Sequence, residues 1–120
     1  MKVIVFDDVL YRRAAEYEVP DLEVQFHAHA DDAVAVVTRE RPDVVLMDYS
    51  MQARASGEDA VRALRAAFPR GAGAKIVAIS SDERSNERML DAGADDALPK
   101  THVKGYLSRL ARLAASEEPT

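Results

Sequence analysis

Short apolar runs rich in β-branched residues alternate along the chain with Ala-rich segments whose apolar positions recur at helical spacing. The runs at residues 3–6, 22–26, 44–47 and 76–79, with a weak fifth at 97–98, predict strands. The middle ones are unbroken, as strands covered on both faces are. Five βα units around a mostly parallel sheet follow, a doubly wound α/β fold with the first and third strands central. Ala33, Val34 and Val37 mark the second helix, behind the candidate caps Asp31 and Asp32 and before Pro42. Ala60, Val61, Leu64 and Phe68 mark the third, which Pro69 ends. Met89 and Leu90 mark the fourth with Gly93 at its C′ position, and Val103, Tyr106, Leu107, Leu110 and Ala114 mark the fifth. The first helix has room for only about two to three turns between Asp8 and Pro20.

At 120 residues and 48% hydrophobic content the chain predicts one domain, residues 1–115, with 116–120 as a short flexible tail. No apolar run approaches the roughly 18 residues of a bilayer span, which predicts no membrane insertion. The apolar start at 3–6 is too short for a signal peptide, so a cytoplasmic location is expected. With no cysteine there is no disulfide, thiolate zinc site or cysteine nucleophile. Sixteen basic against twenty-one acidic residues give a net charge of −5. That balance argues against direct nucleic-acid binding, which needs clustered Lys and Arg, and favours metal cations or basic partner surfaces.

Ligand sites of open parallel sheets lie beyond the carboxyl ends of the strands, and here those positions are polar. Asp7 and Asp8 follow the first strand, Asp48 the third, Ser80, Ser81 and Asp82 the fourth, and Lys100 the fifth. Carboxylates brought together repel unless a cation sits among them, and oxygen ligands alone suit Mg²⁺. A hard cation, a lysine and a hydroxyl around one carboxylate suit phosphoryl transfer, in which charge neutralisation and positioning do most of the work. Asp48, alone after the most hydrophobic strand, is the expected nucleophile, and the pair Asp7 and Asp8 the expected metal holders.

Four motifs in order carry a resemblance to the receiver domains of two-component response regulators. They are Ile4-Val5-Phe6-Asp7-Asp8, Pro42-Asp43-Val44-Val45-Leu46-Met47-Asp48-Tyr49-Ser50-Met51, Ile76-Val77-Ala78-Ile79-Ser80 and Ala92-Gly93-Ala94-Asp95-Asp96-Ala97-Leu98-Pro99-Lys100. The resemblance runs from about residue 2 to 113. It implies a flavodoxin-like (βα)5 fold with strand order 2-1-3-4-5, in which Asp48 takes a phosphoryl group from a sensor histidine kinase or a histidine phosphotransfer protein. It further implies Mg²⁺ held by Asp7, Asp8, Asp48 and the main-chain carbonyl of Ser50, with Lys100 pairing to the phosphoryl oxygens and the Ser80 hydroxyl moving to bond them. Output is expected through contact with a downstream protein, from a monomer or weak homodimer that is a phosphoacceptor rather than an enzyme.

The chain departs from the family pattern in several places. Ala97 stands where an aromatic residue usually swings inward three positions before the lysine, with Tyr49 and Tyr106 as candidate substitutes. Thr101 replaces the usual proline after Lys100 and is a candidate cap for the last helix. Gln52 replaces another proline, and Gly57 comes a residue late, so a reshaped loop is expected after Met51. Asp82 and Ser50 occupy positions that tune autodephosphorylation in the family.

Blander readings stand beside these. Asp7 and Asp8 suit a helix cap, Asp48 and Ser80 a turn, and Lys100 a solvated surface. His27 and His29 lack a third ligand and read as surface residues. Arg12 with Arg13, Arg62 with Arg65, and Arg109 with Arg112 read as solvated helix faces. A pseudo-receiver, keeping the shape as a phosphorylation-independent binding module, is the alternative function. A haloacid-dehalogenase-like phosphatase would need an aspartate where Val9 stands, and flavin binding lacks its phosphate loop after the first strand.

Overall fold

The computed structural model describes residues 1–51 and 54–117. Its elements are β1 (Lys2–Phe6), α1 (Asp8–Arg12), a 3₁₀ turn (Ala14–Tyr17), β2 (Glu23–His27), α2 (Ala33–Glu40), β3 (Val44–Met47) and α3 (Gly57–Ala67). They continue with β4 (Lys75–Ile79), α4 (Glu83–Ala92), β5 (Asp96–Leu98), a second 3₁₀ turn (Lys100–His102) and α5 (Val103–Glu117). All strand pairs are parallel, in the order β2-β1-β3-β4-β5. This is the doubly wound sheet read from the sequence.

Strand alternation divides the core into two layers. Ile4, Phe6, Val45, Met47, Ile76 and Ala78 face the layer that Val36, Val37, Val61, Leu64 and Met89 of α2, α3 and α4 complete. Val3, Val5, Val44, Leu46, Val77 and Ile79 face the other, with Leu10 of α1 and Val103, Tyr106, Leu107 and Leu110 of α5. Burial on both faces is why β3, and β1 and β4 after their opening residues Lys2 and Lys75, carry no polar residue until they end, and why chemistry gathers beyond their last residues.

Several local predictions give way to tertiary contacts. Neither aspartate caps α2 through its side chain: Asp32 holds the N-cap position without a side-chain bond, and Asp31 accepts from the Ala55 amide at 2.9 Å. That bond ties the start of α2 to the loop before α3. Arg65 is no solvated residue. Its guanidinium donates to the carbonyls of Gly93 (2.9 Å) and Phe68 (3.2 Å) and to Asp95 Oδ2 (2.9 Å), clamping α3 to the turn that enters β5. Arg62 keeps the local ion pairs expected of an exposed face, with Glu58 and Asp59. Thr101 lies inside the second 3₁₀ turn, not at the residue before α5. α5 takes in Ser116 and Glu117, which the sequence assigned to the tail, while Gln52 and residues 118–120 lie outside the described residues.

α1 runs only five residues before Arg13 closes it and the chain tightens into a 3₁₀ turn. At the other side of the sheet, α3 begins behind a capping box of Ser56 and Asp59. Its first residue, Gly57, donates to the Tyr49 carbonyl at 2.8 Å, so close to β3 that a Cβ there would overlap the main-chain oxygen of Asp48. Gly57→Ala therefore sets helix propensity, worth about 1 kcal/mol in favour of alanine, against backbone overlap costing roughly 3 kcal/mol. Overlap wins, and urea unfolding is expected to show a net loss of about 2 kcal/mol. A variant as stable as the parent would contradict the close approach.

Candidate functional site

The register places the site. Phe6 pairs with Met47 and Met47 with Ala78, so β1 and β3 end level with one another and β4 ends one residue further on, at Ile79. Asp7 and Asp48 are the next residues. The ladder carries each one step further, the Asp7 amide donating to the His27 carbonyl and the Asp48 amide to that of Phe6, both at 2.9 Å. Two carboxylates are thus carried side by side on adjacent strands before any side-chain preference acts.

Asp7 is fully buried and divides its carboxylate between two tasks. Oδ1 accepts from the Val9 and Leu10 amides at 2.9 and 3.0 Å and caps α1. Oδ2 is buried, and among the described residues its close partner is the Lys100 ammonium, an ion pair at 3.0 Å, with no further donor on it. Capping and site-building are therefore properties of the same residue. Lys100 Nζ also donates to Asp48 Oδ2 at 3.2 Å. Oxygens of Asp7, Asp8 and Asp48 all lie within 4.8 Å of one another.

Three carboxylates against one ammonium leave two formal negative charges. Burial pushes the Asp48 carboxyl up to about 6, with the neighbouring Asp7 charge adding to the shift and Lys100 opposing it. Burial weighs against the charged form of Lys100 as well, but its contacts with Asp7 and Asp48 outweigh that and raise its pKa. The donor set is all oxygen and under-neutralised, and among the described residues Asp7 Oδ2 has the Lys100 ammonium and no other donor. These residues fit a hard divalent cation of the Mg²⁺ type.

Ser80 follows β4, nearly buried, with its amide on the Leu98 carbonyl at 3.2 Å. Its Oγ accepts from the Asp82 amide at 3.1 Å, and Asp82 in turn caps α4 through Arg84 and holds the Ser85 hydroxyl. Ser50 is exposed in the loop beyond Asp48, and Met51 packs on the α2–α4 layer. The candidate substitutes for the aromatic fall on opposite sides of the sheet. Tyr49 packs with the α2–α4 layer, as Ala97 does, and Tyr106 with the α1–α5 layer beneath Arg109. His29 stands 3.9 Å from both Asp31 and Asp32, and the described residues group no histidine with metal-ligand geometry. Asn86, which the sequence reading missed, donates from one amide nitrogen to the carbonyls of Ser80 and Leu98. Its only sequence signal is a polar residue on α4 between the inward positions Ser85 and Met89.

Residues 3–111 match the response regulator receiver domain family, and the chain belongs to it. It is 34% identical over 91 residues to the response regulator MprA of Mycobacterium leprae (strain TN), a stretch covering 73% of this chain and 38% of that protein. The chain thus spans well under half the length of that relative. The response regulator domain of Thermotoga maritima CheB superposes with a TM-score of 0.73 at 25% identity, covering 99% of this chain and 98% of that one. The receiver domain of sensor histidine kinase PA1611 from Pseudomonas aeruginosa PAO1, solved with a magnesium ion coordinated in its active site cleft, superposes at 0.72. It is 24% identical, with 97% and 98% covered.

A carboxyl whose folded pKa is raised favours the folded state below its unfolded pKa near 4, and that contribution is lost as the pH climbs through about 6. In metal-free protein, Asp48→Asn is therefore expected to be more stable than the parent at pH 7, by up to about 3 kcal/mol, with the gain shrinking toward pH 4. Urea titrations in EDTA at the two pH values measure it. A variant less stable at pH 7, or an advantage independent of pH, would contradict the strained-carboxylate account.

Proposed function

We propose that the chain is a phosphoacceptor switch in which Asp48 takes a phosphoryl group from the phosphohistidine of a sensor histidine kinase or histidine phosphotransfer protein. The observation that carries this reading is the Lys100 ammonium held between Asp48 and Asp7 at the level strand ends. Asp48 is preferred to Asp7 as nucleophile because Asp7 is wholly enclosed and commits an oxygen to α1, whereas Asp48 caps no helix and retains 4% exposure. With a pKa near 6 it is mostly ionised at pH 7.

In the step, an Asp48 carboxylate oxygen bonds phosphorus as the bond from phosphorus to the donor imidazole nitrogen breaks, and that nitrogen keeps the electron pair. Lys100 is placed to neutralise a phosphoryl oxygen on Asp48, and the Ser80 hydroxyl to turn from Asp82 and donate to another. Asp7, Asp8, Asp48 and the Ser50 carbonyl would hold Mg²⁺, which supplies further neutralisation of the phosphoryl oxygens. The unit assigned to this role is residues 1–115. It assists its own phosphorylation and loss of phosphate without turning over another substrate, and it signals in the cytoplasm by protein contact as a monomer or weak dimer. Its net charge of −5 disfavours nucleic acid as the direct partner.

Ala97 in place of the aromatic supports a second reading, a pseudo-receiver that binds its partner without phosphorylation. Intact mass after incubation with phosphoramidate or acetyl phosphate separates the two. A gain of one phosphoryl group that needs Mg²⁺ and is abolished in Asp48→Asn is expected. An unmodified parent under all these conditions would overturn the switch and favour the pseudo-receiver.

A further inference from the structure

Ala97 leaves open how a change at Ser80 reaches the edge of the sheet, because a methyl group has no rotamer to swing. The ladder between β4 and β5 ends at Ile79 and Leu98, immediately before Ser80 on one strand and two residues before Lys100 on the other. Past that point the Ser80 amide still reaches the Leu98 carbonyl, at 3.2 Å. The remaining link is a side chain of α4.

Asn86 lies one turn into α4, its amide on the Asp82 carbonyl at 3.2 Å. Its Nδ2 donates to the Ser80 carbonyl at 2.9 Å and to the Leu98 carbonyl at 3.1 Å. Both partners are carbonyls that only accept, so both amide protons are used and the orientation of the amide is fixed. Oδ1 is then left buried with no donor among the described residues. One side chain therefore holds the residue that carries the hydroxyl arm and, through Leu98 and Pro99, the strand end that carries the ammonium arm.

We propose that Asn86 is a positioning residue that sets the spacing of the Ser80 and Lys100 arms and, in place of the aromatic, passes a displacement of Ser80 to α4 and β5. This rests on Asp48 being the phosphoacceptor. Turning the Ser80 hydroxyl toward a phosphoryl group breaks its bond with the Asp82 amide. Any displacement of the Ser80 peptide that accompanies this turn acts on the carbonyl that Asn86 grips, and through Asn86 on α4 and Leu98.

The test compares the parent, Asn86→Ala, Ser80→Ala and the double variant, with Asn86→Leu preserving volume should Asn86→Ala fail to fold. Two readouts are taken: amide exchange at Ser80 in metal-free protein, and the rate of phosphoryl gain from phosphoramidate in saturating Mg²⁺. Loss of Asn86 is expected to speed exchange at Ser80 by about tenfold. It should also slow phosphoryl gain by about fivefold, with Ser80→Ala adding less than about twofold in the double variant, because both act through one linkage. A merely structural role would lower the melting temperature while leaving the two rate losses multiplicative. Unchanged exchange, a rate within about twofold of the parent, or multiplicative losses would each overturn the proposal. A parent that takes no phosphoryl group overturns the phosphoacceptor reading instead, and exchange at Ser80 still decides whether Asn86 holds the two strand ends.

Discussion

The contact on which the rest depends is the ammonium of Lys100 between two buried carboxylates, 3.0 Å from Asp7 Oδ2 and 3.2 Å from Asp48 Oδ2. Charges enclosed at the end of a hydrophobic sheet repel with energies far above those in water, and one cation among three anions leaves the cluster short of neutral. That shortfall is a stability cost and a binding capacity at once. Burial, with the Asp7 charge adding to it, pushes the Asp48 carboxyl up to about 6, and the shortfall makes the strand ends receptive to a further cation and then to the anionic oxygens that such a cation attracts.

The sheet makes this arrangement unavoidable. Parallel pairing holds Phe6, Met47 and Ala78 in one line, so Asp7 and Asp48, and Ser80 after the one further strand residue Ile79, share an edge whatever their chemistry. The supports lie outside the carboxylates themselves. Asp7 is fixed by its duty as a cap of α1, Gly57 lets α3 start against the Asp48 carbonyl, and Arg65 steadies the turn into β5 from which Lys100 departs. Each support spends a polar group or a missing side chain on geometry, so the site is held by the fold more than by its own contacts.

Much of this was legible in the chain. Strands buried on both faces read as unbroken apolar runs, so β3 was placed to the residue and β1 and β4 to within one. The polar residues that end those runs were Asp7, Asp48 and Ser80. The shortness of α1 was visible from Pro20, although its tightening into a 3₁₀ turn was not. What periodicity missed were polar side chains whose partners are distant in sequence. Asp31 reads as a cap and instead binds Ala55, Arg65 reads as solvated and instead spans to Asp95, and Asn86 carries no signal beyond being a polar residue between two inward positions of α4. Hydrophobic spacing reports which face of a helix is buried. It says nothing of which amide or guanidinium finds a carbonyl across a gap between elements.

Calorimetric titration of metal-free protein with Mg²⁺ at pH 7, for the parent and for Lys100→Met, tests the charge shortfall most directly. The account predicts one saturable site per chain in the parent, and tighter binding in Lys100→Met because the ammonium competes with the cation for the carboxylates of Asp7 and Asp48. No saturable binding, or weaker binding once the ammonium is removed, would contradict it.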